Sequence, residues 1–110
     1  MTEVIHEVHG RLVATLSGEI DLDRAPGVRD FLLGCVGRGR DVVVDLSQVS
    51  YIDSSGIASL VEALQAAGKG GTRLSLAAVS PQALRVFELA RLDRVFTIHP
   101  DLDTALAAGH

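Results

Sequence analysis

Residues 2–8, TEVIHEV, and 11–18, RLVATLSG, alternate apolar and polar side chains. That period of two marks strands with one covered face, and His9-Gly10 between them predicts an antiparallel hairpin. GEIDLDRAPG then breaks the alternation. Asp23 stands where it can cap a helix, with Pro26 inside the first turn, where a missing donor does no harm. Val28, Phe31, Leu32 and Cys35 recur at helical spacing until GRGRD stops the run. DVVVDL is a continuous apolar run between acids, which predicts a strand covered on both faces or nearly so. From Ser54 onward, Ile57, Leu60, Val61 and Leu64 fall at i, i+3, i+4 and i+7, one face of a second helix. GKGG ends it at 68–71, and TRLSLAAV is the next strand. Ser80 and Pro81 open a third helix as an N-cap and first-turn pair, carrying Leu84 and Phe87 inward. RVFTI makes a short final strand, and Asp101 or Asp103 opens a last helix through Leu102, Ala105 and Leu106.

The predicted architecture is a single α/β domain over residues 1–110, with about five strands and about four helices. After the opening hairpin, strands and helices alternate, so the mixed sheet should be largely parallel with right-handed crossovers. No repeat, low-complexity segment or linker interrupts it. Hydrophobic residues make up 47% of the 110, enough for a core, but only 4% are aromatic and none is Trp. The core must therefore come from Val, Leu, Ile and Ala.

Charge narrows the function. The net charge is −4 and the arginines are scattered, which argues against a nucleic-acid partner that needs a basic footprint. Cys35 is the single cysteine, so no internal disulfide forms, and its place on an apolar helix face makes it a small buried hydrophobe. No signal peptide opens the chain, and no apolar run approaches the roughly 18 residues of a membrane span. A cytoplasmic protein without membrane insertion is expected.

In such sheets, functional groups gather beyond the carboxyl ends of the strands. Three loops occupy candidate positions: Gly18-Glu19-Ile20-Asp21, Asp53-Ser54-Ser55-Gly56 and Val79-Ser80-Pro81. Their convergence depends on strand order. Ser54 does not fit a hydrolase, because the nucleophile elbow needs Gly two residues before and after it. Ile52 and Gly56 stand there, and His6, His9, His99 and His110 offer no motif that places a base beside it. GKGGT is no phosphate loop either: the first Gly is missing, Gly70 replaces the magnesium-binding Ser or Thr, and the element order is reversed. No spacing of His, Cys or carboxylates suggests a metal, so neither catalysis nor a cofactor is expected.

Capping is the ordinary role of Ser and Asp at a helix start. Two details go beyond it. One cap needs one side chain, yet the loop supplies Asp53, Ser54 and Ser55, so one group can cap while another faces solvent. Gly56 opens a helix where Gly costs roughly 1 kcal/mol against Ala, as if backbone or a partner approaches closely. A phosphate on such a serine would add about −1.5 to −2 charges. The amides of the helix start would favour it by about 0.3–1 kcal/mol.

The run VVVDLSQVSYIDSSGIASL, the upstream GEID and the later SPQALRVFELARLDRVFTIHPDLDTAL resemble the bacterial anti-sigma factor antagonists, which are single STAS domains. The resemblance covers nearly the whole chain, and DSSG between strand and helix is its most specific part. It implies a protein that binds an anti-sigma factor serine kinase, so freeing a sigma factor, and that lets go when phosphorylated. A metal-dependent serine phosphatase would reset it. Carried over, the resemblance makes Ser54 the acceptor, with Asp53 beside it and Ser55 and Gly56 shaping the helix start. Asp21 matches the family's acidic residue in the second-strand loop, and Glu19, Asp23 and Ser80 fall on the same surface. One departure stands out. Family members commonly carry Gly after the third helix; here Ala90-Arg91-Leu92-Asp93 follows, so Arg91 should end the helix without a left-handed turn. The alternative implied is a STAS subunit of another machine, such as a phospholipid ABC transporter or sensory complex, where the same face is a docking scaffold.

Overall fold

Each strand pairs with the next one in sequence. In the computed structural model, which describes residues 3–108, β1 (Glu3–Val8) and β2 (Arg11–Ile20) form an antiparallel hairpin with Val8 opposite Arg11. His9 and Gly10 both take positive φ, 53° and 80°, the twist that a two-residue hairpin turn requires. β3 (Val42–Ile52), β4 (Leu74–Ala77) and β5 (Thr97–His99) follow in parallel, giving the order β1-β2-β3-β4-β5. The helices are α1 (Ala25–Val36), α2 (Ser54–Lys69), α3 (Pro81–Leu89) and α4 (Leu102–Ala107). The mixed five-stranded sheet with four helices is the architecture expected.

Right-handed crossovers that always step the same way put α1, α2 and α3 on one face of the sheet. There Leu12, Leu16, Val44 and Leu76 meet Val28, Leu32, Leu60 and Phe87 in one core. Ala105 of α4 packs on the opposite face against Val43 and Ala77. The Arg11 guanidinium donates to the carbonyls of Ala105 and Leu106, tying the end of α4 to the start of β2. Cys35 is buried, and burial pushes its thiol above the usual range although Arg38 pulls the other way. It behaves as a core side chain.

Several boundaries differ from the sequence reading. β2 continues past Gly18 to Ile20, because Gly18 at φ 78° absorbs an irregularity in the pairing with β3. β3 runs eleven residues to Ile52 and not six; Ser47, Gln48, Ser50 and Tyr51 are exposed, so its second half lacks an apolar run. Asp23 is exposed and caps nothing; the carbonyl of Asp21 accepts from the Arg24 and Ala25 amides, and its Oδ1 accepts from Arg24. β5 is shorter than RVFTI, since Arg94 belongs to a 3₁₀ turn (Leu92–Arg94) and Val95 is 57% exposed. In α3 the fully buried residues are Ala83 and Phe87, with Leu84 only half-buried. Asp101, and not Asp103, caps α4 by accepting from the Thr104 amide at 2.7 Å, which holds its carboxyl below the usual range. Arg91 does take the left-handed turn, at φ 61°, without a glycine. Thr2 of the first predicted strand and His110 lie outside the described residues.

Candidate functional site

The site begins with two chain exits. β2 and β3 run side by side with Ile20 opposite Ile52, and the Asp53 amide donates to the Ile20 carbonyl at 3.2 Å. The loop after β2 and the start of α2 therefore leave the sheet together. On the far side β4 pairs only with 42–45 of β3, so the rest of β3 outruns it. The first turn of α3 lies near the end of β3, where the Gln82 amide donates to the Ile52 carbonyl at 3.4 Å. Sequential strand order thus brings the three candidate loops to one end of the sheet.

Geometry divides the work inside Asp53-Ser54-Ser55-Gly56. Asp53 has extended backbone, and its Oδ1 accepts from the amides of Ser55 at 2.9 Å and Gly56 at 3.2 Å. Asp53 is the cap. Ser54 is the first residue of α2, exposed, with no hydrogen bond on its hydroxyl among the described residues. Ser55 is half-buried. Gly56 is buried for a steric reason: a Cβ there would stand 2.6 Å from Ile52, 2.7 Å from the Ile20 side chain and 3.0 Å from the Ile20 carbonyl. The close approach inferred from its position is with the chain's own strands. The Ser55 and Gly56 amides, expected to favour a phosphate, are already engaged by Asp53.

The remaining predicted residues surround this core. Asp21 is half-buried, its carboxylate turned to the Arg24 amide, whereas Glu19 and Asp23 are exposed. Ser80 is half-buried, and its hydroxyl oxygen accepts from the Ala83 amide as the α3 cap. Glu19, Asp21, Asp23 and Asp53 give this end an acidic frame.

Four residues escaped the sequence reading. Arg24 donates from Nη1 to the carbonyls of Ser17 at 2.6 Å and Glu19 at 2.7 Å, and from Nη2 to the Glu3 carboxylate at 2.7 Å. It pins the acidic loop across the irregular end of β2, and an isolated arginine gives no sign of this. The buried Ser59 hydroxyl lies 3.0 Å from the Ala25 carbonyl and 3.2 Å from that of Ser55, joining α1 to α2. Leu22 and Tyr51 are apolar groups left 71% and 43% exposed at the same end. An apolar side chain between two acids, as in DLD, was the available signal for Leu22. Among the described residues, no group of three or more His, Cys, Asp or Glu could hold a metal.

A profile of the STAS domain matches residues 1–105. The chain belongs to the STAS domain family. An anti-sigma-B factor antagonist of Bacillus subtilis is 32% identical to this STAS domain over 83 residues, covering 76% of each chain. That of Listeria monocytogenes is 33% identical over 84 residues, 76% of this chain and 74% of its own. The crystal structure of an anti-sigma factor antagonist from Mycobacterium paratuberculosis superposes with a TM-score of 0.89 at 32% identity, over 97% of this chain and 92% of that one. In this STAS domain the DSSG segment sits at the junction of β3 and α2, capped by its own aspartate.

Proposed function

We propose that the protein is an anti-sigma factor antagonist, a regulatory binding protein and not an enzyme, switched by phosphorylation of Ser54. Its partner is an anti-sigma factor serine kinase, a metal-dependent serine phosphatase reverses the modification, and the exchange takes place in the cytoplasm. One observation carries the reading. Ser54 offers an exposed, uncommitted hydroxyl at the start of α2 while Asp53 does the capping. A scaffold subunit would need only a small residue there, so the accessible hydroxyl favours the switch. The antagonist relatives support the same role. Among the described residues no helix is long and apolar enough to cross a membrane.

The electrostatics give the direction of the switch. In phosphoryl transfer the acceptor oxygen faces the nucleotide, so the product phosphoserine faces the nucleotide's remaining phosphates. Two unit charges roughly 5 Å apart repel by about 3 kcal/mol at an effective dielectric near 20. That is about two decades in affinity for each charge pair. The surrounding acids, with the amides of Ser55 and Gly56 already bound to Asp53, leave this phosphate little local compensation.

The test is incubation with candidate anti-sigma kinases of the same genome, ATP and magnesium, followed by intact-mass measurement. One added phosphate is expected on the native chain and none on Ser54→Ala, with kinase binding lost once the phosphate is on. No phosphate from any candidate, together with a Ser54→Ala chain that still switches in cells, overturns the reading.

A further inference from the structure

Leu22 lies two residues beyond Ile20, as Ser54 lies two beyond Ile52, and those isoleucines are paired across β2 and β3. The two residues therefore leave the sheet side by side. A single exposed leucine is common on a surface. This one differs in how its neighbours are held. Asp21 accepts from the amides of Arg24 and Ala25, and Arg24 clamps the carbonyls of Ser17 and Glu19. Leu22 is thus presented at 71% exposure on a braced turn. Tyr51, opposite Glu19 on β3, adds a second apolar surface at 43% exposure. Prefixed apolar groups lose little freedom on binding, which is what makes an efficient anchor.

The charges around them define the partner. Glu19 and Asp23 are exposed and Asp21 and Asp53 half-buried, all acidic, while Arg24 is engaged within the loop. We infer that Leu22 is the docking anchor for the serine kinase, seated in an apolar cleft whose rim carries Lys or Arg against Glu19 and Asp23. The inference rests on the reading of Ser54 as phosphoacceptor. It divides the surface in two: the loop after β2 supplies affinity, and the start of α2 supplies the hydroxyl. The rim cations face the acidic loop and the nucleotide phosphates face Ser54, so phosphorylation still releases the partner.

The experiment uses the full chain and the kinase that phosphorylates it, comparing native, Leu22→Met, Leu22→Ala and the double variant Glu19→Gln/Asp23→Asn. Leu22→Ala should weaken binding and raise the KM of phosphorylation by roughly 30-fold, the scale of a lost anchor, with kcat and melting temperature unchanged. Leu22→Met should bind almost as the native chain does. The double variant should slow association by several-fold at low salt and little at high salt. An unchanged KM and affinity for Leu22→Ala, with Ser54 still phosphorylated, overturns the anchor and leaves the phosphoacceptor intact. Failure of every kinase to phosphorylate the native chain takes down both.

Discussion

Along β2 and β3, strands of ten and eleven residues, α1 and α2 come in close through small side chains: Ala25, Gly56, Ser59 and Ala63 are all buried. Beyond them β4 and β5 have four and three residues, and α3 fully buries only Ala83 and Phe87, with Val86 half-buried against the same core and Phe87 edge-on to Phe96 at 5.5 Å. The first half holds position by backbone proximity; the second is filled by an aromatic pair. Proximity leaves no room to add atoms, and filling leaves none to remove. Ser54, the proposed acceptor, sits in the first half, where the Asp53 amide and the Ile20 carbonyl fix one loop against the other. The second half holds two non-glycine residues, Ala78 and Arg91, at positive φ outside any hairpin turn.

The largest effect should come from removal in the filled half. Phe87→Ala deletes a ring that is 0% exposed, and should cost about 3–5 kcal/mol in denaturant unfolding. A loss below about 1 kcal/mol would mean that α3 is held by something other than that ring, and the contrast would fail. Next comes addition in the close half. Gly56→Ala puts a methyl within 2.6–3.0 Å of Ile52 and Ile20, and should cost about 1–3 kcal/mol while slowing phosphorylation of Ser54 as α2 is pushed off the strands. Equal stability and rate would show that α2 has slack. The smallest effect is a gain. The left-handed conformation of Arg91 costs about 1–2 kcal/mol for a residue with a side chain, against about 0.5–1 for the freedom of glycine. Arg91→Gly should therefore raise stability by about 0.5–1 kcal/mol, a rise of a few degrees in melting temperature for a domain this size.

What the sequence revealed follows the same division. Elements set by local period or local caps were legible: the hairpin at His9-Gly10, Ile57 and Leu60 on the buried face of α2 with Val61 and Leu64 half-buried beside them, and Ser80 opening α3. Elements set by neighbours were not. The upper half of β3 carries exposed Ser47, Gln48, Ser50 and Tyr51, so no apolar run announced it; it is a strand because β2 lies beside it. Within the site, Asp53 and Ser54 are both good caps by type, and only the extended backbone of Asp53 and its bonds to Ser55 and Gly56 assign the roles. Asp23 stood where it could cap α1, but the turn into the helix uses the backbone carbonyl of Asp21. Arg24 makes its contacts with residues 3, 17 and 19, a constellation that no spacing rule contains. Arg91 shows the opposite failure. A missing glycine suggested a missing turn, but packing of the following 3₁₀ segment, whose Leu92 lies against the core, keeps the turn and accepts its strain.

Strand order has a consequence for how the chain is built. Because every strand joins the one made just before it, a growing chain meets an edge already formed at each step, and no strand waits for a distant partner. Each parallel step still closes a crossover before it is rewarded, as Leu12 meets Val42 and Val42 meets Leu74, so order of synthesis and not speed of pairing is what the topology favours. The groups from Glu19 to Gly56 all precede β4. Synthesis thus delivers the whole acidic face and its serine while the last two strands are still unmade.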